Sequence, residues 1–376
     1  MKFKRYKLKD LSIGGGSYGI GASAVEYDKK LYTYLRITDI NEDGTLNYKD
    51  MMSVNDPKAN KYILKKNDIC FVRTGNSTGK TYFYDGGIEN LVYAGFLIKF
   101  SIDEEKVNPK YVKYYIMTSK YKNWVKEIQT GSTRGNINAK MYGNLEILIP
   151  ERAYQDKLVT VLDKITDKIK YNTQTNDNLL KIGLELLKED FNKKTEYEVL
   201  SNAIKFVKGK KPLDITPEIK EKYKKYLTIA CLNGQELNYA DPTKMVLSNN
   251  DLLMVMDGAS SGDVYYAGQG IVASTLSRVD CIDGNYISEF IYFIMKYYKD
   301  LIQSKNTGSA IPHTDKVFVG NLKVPKLLIE EQEKYKTLLY KILKNMNENK
   351  ILEQLRDTLL PKLMNGEIDL DKIEIY

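Results

Sequence analysis

The chain has 376 residues, 43% of them hydrophobic and 28% charged, with a net charge of +8 and a pI near 8.9. That length accommodates two domains of ordinary size. No apolar run approaches the roughly 20 residues a membrane-spanning helix needs, and the basic start, Met1-Lys2-Phe3-Lys4-Arg5, lacks the apolar stretch of a signal peptide. The three cysteines, Cys70, Cys231 and Cys281, are far apart and form neither a CxxC pair nor a disulfide framework, so a reducing cytoplasm is expected. The one histidine, His313, leaves little material for histidine catalysis or metal binding. A charge of +8 fits a polyanionic partner and equally a lysine-rich solvated surface.

In chain order, Gly14-x-Gly16-x-x-Gly19 comes first. It has the letters of a dinucleotide fingerprint but no long strand before it, and only a weak helix pattern, 22–30, after it, so it reads as a flexible loop. Residues 35–40 and 68–73 read as strands, rich in aliphatic and β-branched residues between turn signals. Gly75-Asn76-Ser77-Thr78-Gly79-Lys80-Thr81 is one residue short of a phosphate-binding loop. Residues 109–129 read as a helix, with Tyr111, Tyr115, Trp124 and Ile128 at helical spacings, Asn108 as its cap and Pro109 at its first position. A short strand, 145–149, leads into a long helix, 151–191.

The whole series then returns. Asn67-Asp68-Ile69-Cys70-Phe71-Val72-Arg73-Thr74-Gly75 reappears as Asn250-Asp251-Leu252-Leu253-Met254-Val255-Met256-Asp257-Gly258, and the block from Gly131 to Leu145 reappears from Gly308 to Leu322. Strands 227–231 and 252–256, a helix 287–303, a strand 322–324 and a long helix 328–360 complete the second copy. The offset is 192 at Tyr34 and Tyr226, 183 at Asp68 and Asp251, and 177 at Gly131 and Gly308, so the first copy carries extra residues at several separate points. Such insertions belong in surface loops. The boundaries that follow are 1–150, 151–192, 193–327 and 328–376. The fold class is α+β: two similar α/β heads separated by two long helices.

The first long helix places Leu158, Ile165, Leu179 and Leu186 at steps of seven or its multiples, with Leu162 and Ile169 in companion positions. This is a coiled-coil pattern. Asn172 interrupts it, and Asn349 matches it in the second helix after Leu339, Ile342 and Met346. Two similar helices with matched asparagines favour pairing with each other, since a seam asparagine specifies register. Some 35–40 residues at 1.5 Å each span roughly 50–60 Å.

No string in this chain carries the marks of catalysis. The phosphate-loop look-alike returns as Gly258-Ala259-Ser260-Ser261-Gly262-Asp263-Val264, without its Lys and Thr, and Asn108-Pro109-Lys110-Tyr111, close to an amino-methyltransferase motif, returns as Asn285-Tyr286-Ile287-Ser288. What both copies keep is glycine, small hydroxyls and exposed amides after a strand, which suit phosphate contacts. Arg and Lys suit guanine, Asn suits adenine, and Asp accepts from cytosine. The candidate nucleic-acid-binding residues are therefore Arg36, Arg73, Thr74, Ser77, Thr78, Lys80, Ser132, Arg134, Asn136 and Asn138 in the first head. In the second they are Lys210, Lys211, Asp257, Ser260, Ser261, Asp263, Ser309, His313 and Lys316. Any one of them is also what a solvated surface carries; the clustering is the signal.

The order of these features resembles the specificity subunit of type I restriction–modification systems over essentially the whole chain. Gly209-Lys210-Lys211-Pro212 opening the second head, Gln155 and Gln332 at matched helix starts, and the ending Leu359-Leu360-Pro361-Lys362-Leu363-Met364-Asn365-Gly366-Glu367 support it. The first head departs in Gly14-Gly15-Gly16-Ser17, which lacks the proline often seen in that loop. The resemblance implies that each head is a target-recognition domain reading one half of a bipartite duplex DNA site. It implies an antiparallel pairing of the helices in a pseudo-two-fold arrangement that sets the gap. It also implies two modification (methyltransferase) subunits and restriction subunits as partners, with S-adenosylmethionine, ATP and Mg held by those partners and no cofactor or metal in this chain. A specificity subunit of another methyltransferase system, or a coiled-coil adaptor without DNA specificity, are the alternatives.

Overall fold

A computed structural model describes residues 2–130, 135–282, 284–308 and 311–370. Contacts divide the chain into two compact units: Met1–Ile169 with Lys350–Tyr376, and Lys170–Asn349. The long helices, Arg152–Lys193 and Ile329–Met364, each contribute to both units, so every head packs on part of each helix.

In the first unit an antiparallel sheet runs in the order Ser12–Tyr18, Leu97–Ile102, Asp68–Val72, Thr81–Phe83. The second unit repeats that order with Ile204–Lys208, Leu276–Cys281, Leu252–Val255 and Val264–Tyr266. The central strand explains itself. Successive side chains of a strand face opposite ways, and here both faces are covered. Ile69 and Phe71 enter one core while Cys70 and Val72 enter another. Leu252 and Met254, against Leu253 and Val255, do the same in the second unit. A second small sheet in each head contains one parallel pair, Tyr34 beside Val92 and Tyr226 beside Ile271. A two-stranded ribbon closes each head onto its helix, Lys4–Lys7 with Glu146–Ile149 and Tyr197–Val199 with Lys323–Pro325.

The matched glutamines join head to helix in the same way twice. Gln155 Oε1 accepts from the Asn108 amide at 2.8 Å while its Nε2 donates to the Pro150 carbonyl at 2.8 Å. Gln332 Oε1 accepts from the Ile287 amide at 3.0 Å and its Nε2 donates to the Asn285 and Leu327 carbonyls. Both side chains are buried, so each amide group satisfies backbone groups that would otherwise be orphaned.

The helices run antiparallel within each unit. In the first, the Tyr154 hydroxyl donates to the Leu363 carbonyl at 2.8 Å, and Leu158 and Leu162 share a core with Leu360 and Leu363. In the second, Asn172 donates to Asn349 at 2.9 Å and Asn345 donates to Asn176 at 2.9 Å. Leu339 and Ile342 are buried there, and Leu179 packs partly buried against the same core. Ile165 is buried and Ile169 half-buried in the first unit. Met346 departs from expectation: it is 47% exposed, and Asn345 takes the inward position because the helix steps three residues rather than four from Ile342. Likewise the fully buried leucine near the far end is Leu187, with Leu186 only partly covered. A straight helix of 3.6 residues per turn drifts from a strict seven-residue repeat.

Residues 35–40 and 227–231 are not strands: the strands end at Leu35 and Leu227, and short helical turns follow. Their caps explain the switch, since Asp39 accepts from the Arg36 amide and Thr228 accepts from the Cys231 amide. The 109–129 helix is two, Pro109–Tyr115 and Ser119–Thr130, and 287–303 is likewise Ser288–Tyr297 and Lys299–Ser304. The glycine-rich segment is strand Ser12–Tyr18, with an irregular register between Ile13 and Ser17, and 22–30 holds the two-residue strand Ala24–Val25 in place of a helix. Gly14 and Gly15 both sit at φ +74°, where a side chain is strained, so glycine here makes a bulge.

Candidate nucleic-acid interface

At one end of each main sheet, the loop after the central strand meets the segment that precedes the next short helix. Equivalent backbone bonds build it twice. Gly79 N donates to Val72 O at 3.0 Å and Gly262 N to Val255 O at 2.9 Å. Ile137 N donates to Arg73 O at 2.9 Å and Thr314 N to Met256 O at 2.8 Å. Gly79 and Gly262 hold φ near +92° and +93°, and a Cβ on either would strike Val125 or Ile302. Here glycine is required by conformation and by space together.

The frame consumes some of the candidate side chains. The Thr78 hydroxyl donates to Gly75 O and Gly135 O, and the Ser261 hydroxyl bonds Gly258 O and Pro312 O in the same way. These two pin the loop and are unavailable to a phosphate. Arg36 also turns inward. Its guanidinium spans buried Asp39, with Nη2 at 2.6 Å, and donates again to the Asp50 carbonyl. Hydrogen bonding to Asp39 raises its pKa further above the ordinary arginine value. Lys80 is tied to Glu42 at 2.8 Å and to the Ile40 carbonyl, and Asp263 is tied to Lys299. The partners of Lys80 and Asp263 lie far from them in the sequence. Ser132, Arg134 and Ser309 lie outside the described residues.

Other candidates converge on the surface. Asn136 and Asn138 are exposed, and Asn138 caps the helix Ala139–Gly143 through Met141 N. Thr74, Ser77 and Ser260 are half-buried on the loops, while Lys316 is exposed at the first turn of Lys316–Gly320. The guanidinium carbon of Arg73 lies 4.9 Å over the ring of Tyr18, whose hydroxyl accepts from Ala139 N. In the second head Asp257 Oδ1 lies 2.7 Å from His313 Nδ1, and Lys208 approaches Asp257 Oδ2 at 3.9 Å.

Tyr18 and Lys208 were not among the sequence candidates, yet they occupy one position of the frame. The following residues, Gly19 and Gly209, each press against backbone carbonyls, so that a Cβ would lie 2.2 Å from Tyr93 O or 2.1 Å from Ala273 O. Aligning those glycines was the available signal. Four equivalent pairs result: Tyr18 with Lys208, Arg73 with Met256, Thr74 with Asp257, and Asn136 with His313. The backbone is shared and the chemistry is not.

A second asymmetry lies beside this frame. Residues 205–225 hold eight lysines against three carboxylates, whereas the matching 15–33 hold two against two. Lys210, Lys211, Lys222 and Lys224 are all exposed. Among the described residues no group of His, Cys, Asp and Glu could hold a metal ion, and no helix is long and apolar enough to cross a membrane.

Two heads with one frame and unlike exposed side chains define a duplicated protein of mixed α and β structure. Residues 2–181 match the family model of the type I restriction modification DNA specificity domain. The chain is similar to the HindI specificity subunit of Haemophilus influenzae, 24% identical over 89% of this chain and 95% of that protein. The MjaVIII specificity subunit of Methanocaldococcus jannaschii is 28% identical over 143 residues, 37% of this chain and 34% of that protein. The crystal structure of a type I restriction–modification S subunit from M. genitalium shares the fold, with a TM-score of 0.55 and 17% identity over 96% of each chain.

Proposed function

We propose that this chain is the DNA-recognition subunit of a type I restriction–modification complex and that each head reads one half of a bipartite duplex site. The observation that carries this reading is the doubled frame: the same backbone bonds present Arg73, Thr74 and Asn136 in one head and Met256, Asp257 and His313 in the other. A shared scaffold with different base-reading chemistry is what two unlike half-sites require. Ser77, Ser260, Asn138, Lys316 and the lysines at 210 and 211 take phosphate or neighbouring base contacts. Methyl transfer, and the S-adenosylmethionine it needs, reside in two modification subunits docked on the long helices. ATP, Mg and cleavage belong to restriction subunits. The role of this chain is recognition, and the helices fix the gap between half-sites.

DNA affinity of the complex with its modification subunits should fall steeply with salt, because each neutralised phosphate contributes a slope of about −0.9 in log K against log[salt]. The quadruple variant K210A/K211A/K222A/K224A should flatten that slope by roughly 3 to 4 units if each lysine meets one phosphate, leaving the recognised sequence unchanged. Titrations of labelled duplex across a salt series measure it. Salt-independent binding, or none, would point to an adaptor that does not read DNA.

A further inference from the structure

The four equivalent positions allow the type of base read at one point of each half-site to be named; this rests on the DNA-reading role proposed above. In the first head Arg73 is held with one guanidinium face against Tyr18, at 4.9 Å. Stacking orients the planar fork and leaves its edge for in-plane hydrogen bonds. An arginine edge pairs with the O6 and N7 acceptors of guanine. In the second head the equivalent residue is Met256, buried and without a polar edge, so arginine readout is lost there. The neighbouring position becomes Asp257, which replaces Thr74.

A lone carboxylate facing a polyanion is repelled. Asp257 is not alone: His313 Nδ1 is 2.7 Å from one oxygen and Lys208 Nζ is 3.9 Å from the other. His313 occupies the place of Asn136, and Lys208 the place of Tyr18, so all three changes sit together on one frame. The lysine offsets the charge and the imidazole fixes the orientation. What a carboxylate held this way accepts is an exocyclic amino group, the N4 of cytosine or the N6 of adenine. We infer that the first head selects guanine through Arg73 stacked on Tyr18, and that the second head selects an amino-bearing base through Asp257 positioned by His313 and Lys208. Asp257 and Arg73 are the base-reading residues; His313, Lys208 and Tyr18 position them.

The test is sequencing of duplexes selected from a random library by the full chain in complex with its modification subunits. The wild-type complex should enrich a bipartite motif with guanine at one position of one half and cytosine or adenine at one position of the other. Arg73→Met, which installs the residue of the second head, should abolish the guanine preference, with roughly 5- to 150-fold discrimination falling towards none. The other half and the gap should not change. Asp257→Asn should relax or switch only the amino-bearing position. His313→Ala should weaken that preference, and His313→Asn, the residue of the first head, should restore part of it. The enriched base at the Asp257 position tells cytosine from adenine. The inference is overturned if either base-reading variant keeps the wild-type motif, if both halves change together, or if affinity falls equally for all sequences, as a phosphate contact would give. No bipartite motif with the wild-type complex would instead sink the DNA-reading role itself.

Discussion

Tyr335→Ala should destabilise the second unit by about 3–5 kcal/mol, the range for truncating a large buried aromatic side chain. Tyr335 is fully buried, with its ring 5.1 Å from that of Phe290 and 5.3 Å from that of Phe293. Its hydroxyl donates to Asp190 at 2.6 Å, linking the second long helix to the first within this unit. Burial first, and then the bond to Asp190, push the phenol well above its ordinary pKa, so it remains a neutral donor. Tyr335→Phe keeps the packing and removes only the donor. Asp190 then retains Lys334 at 2.7 Å, and the expected cost is about 1–2 kcal/mol, nearer a single hydrogen bond. Urea denaturation of the full chain separates the two variants. A loss below 1 kcal/mol for Tyr335→Ala would mean that head and helices are not joined through this cluster.

Deleting residues 165–171 from the first long helix and 350–356 from the second removes one heptad from each. The Asn172–Asn349 pair survives, and Asn345–Asn176 continues the antiparallel register beyond it. Seven residues rise about 10.5 Å, which corresponds to roughly three base pairs at 3.4 Å per step. The recognised motif should keep both half-sites letter for letter while its gap shortens by about that amount. Altered half-site letters with an unchanged gap would refute the role of the helices in setting the separation.

Much of this architecture is legible in the chain because it is written twice. The repeat aligns Asp68 with Asp251, whose carbonyls accept from Tyr84 N and Ala267 N, and Gln155 with Gln332, and in each case the structure gives the pair the same position. The central strands are legible from apolar runs too short for helices, and the helices from their leucines. The failures have physical causes. Tyr111 to Ile128 keep a helical spacing across a break at 116–118, which periodicity does not register. Glycines in a row read as a loop, although Ser12–Tyr18 pairs with Leu97–Ile102 and simply bulges. The seam is blurred because a step of three or four residues decides between Asn345 and Met346. At the interface, residue type alone made Arg36, Lys80 and Asp263 look free. Asp39, three residues from Arg36, was a readable partner, whereas Glu42 for Lys80 and Lys299 for Asp263 are distant in sequence and meet only in the fold.

In the proposed role this chain confers sequence specificity on a methyltransferase. Methylome sequencing of a host carrying the chain with its cognate modification subunit, beside a host carrying the modification subunit alone, tests that role. A new bipartite methyladenine motif, present only with the chain and made of two unlike half-sites at a fixed gap, is the predicted result. Identical methylomes in the two hosts, with both proteins expressed and associated, would rule that role out.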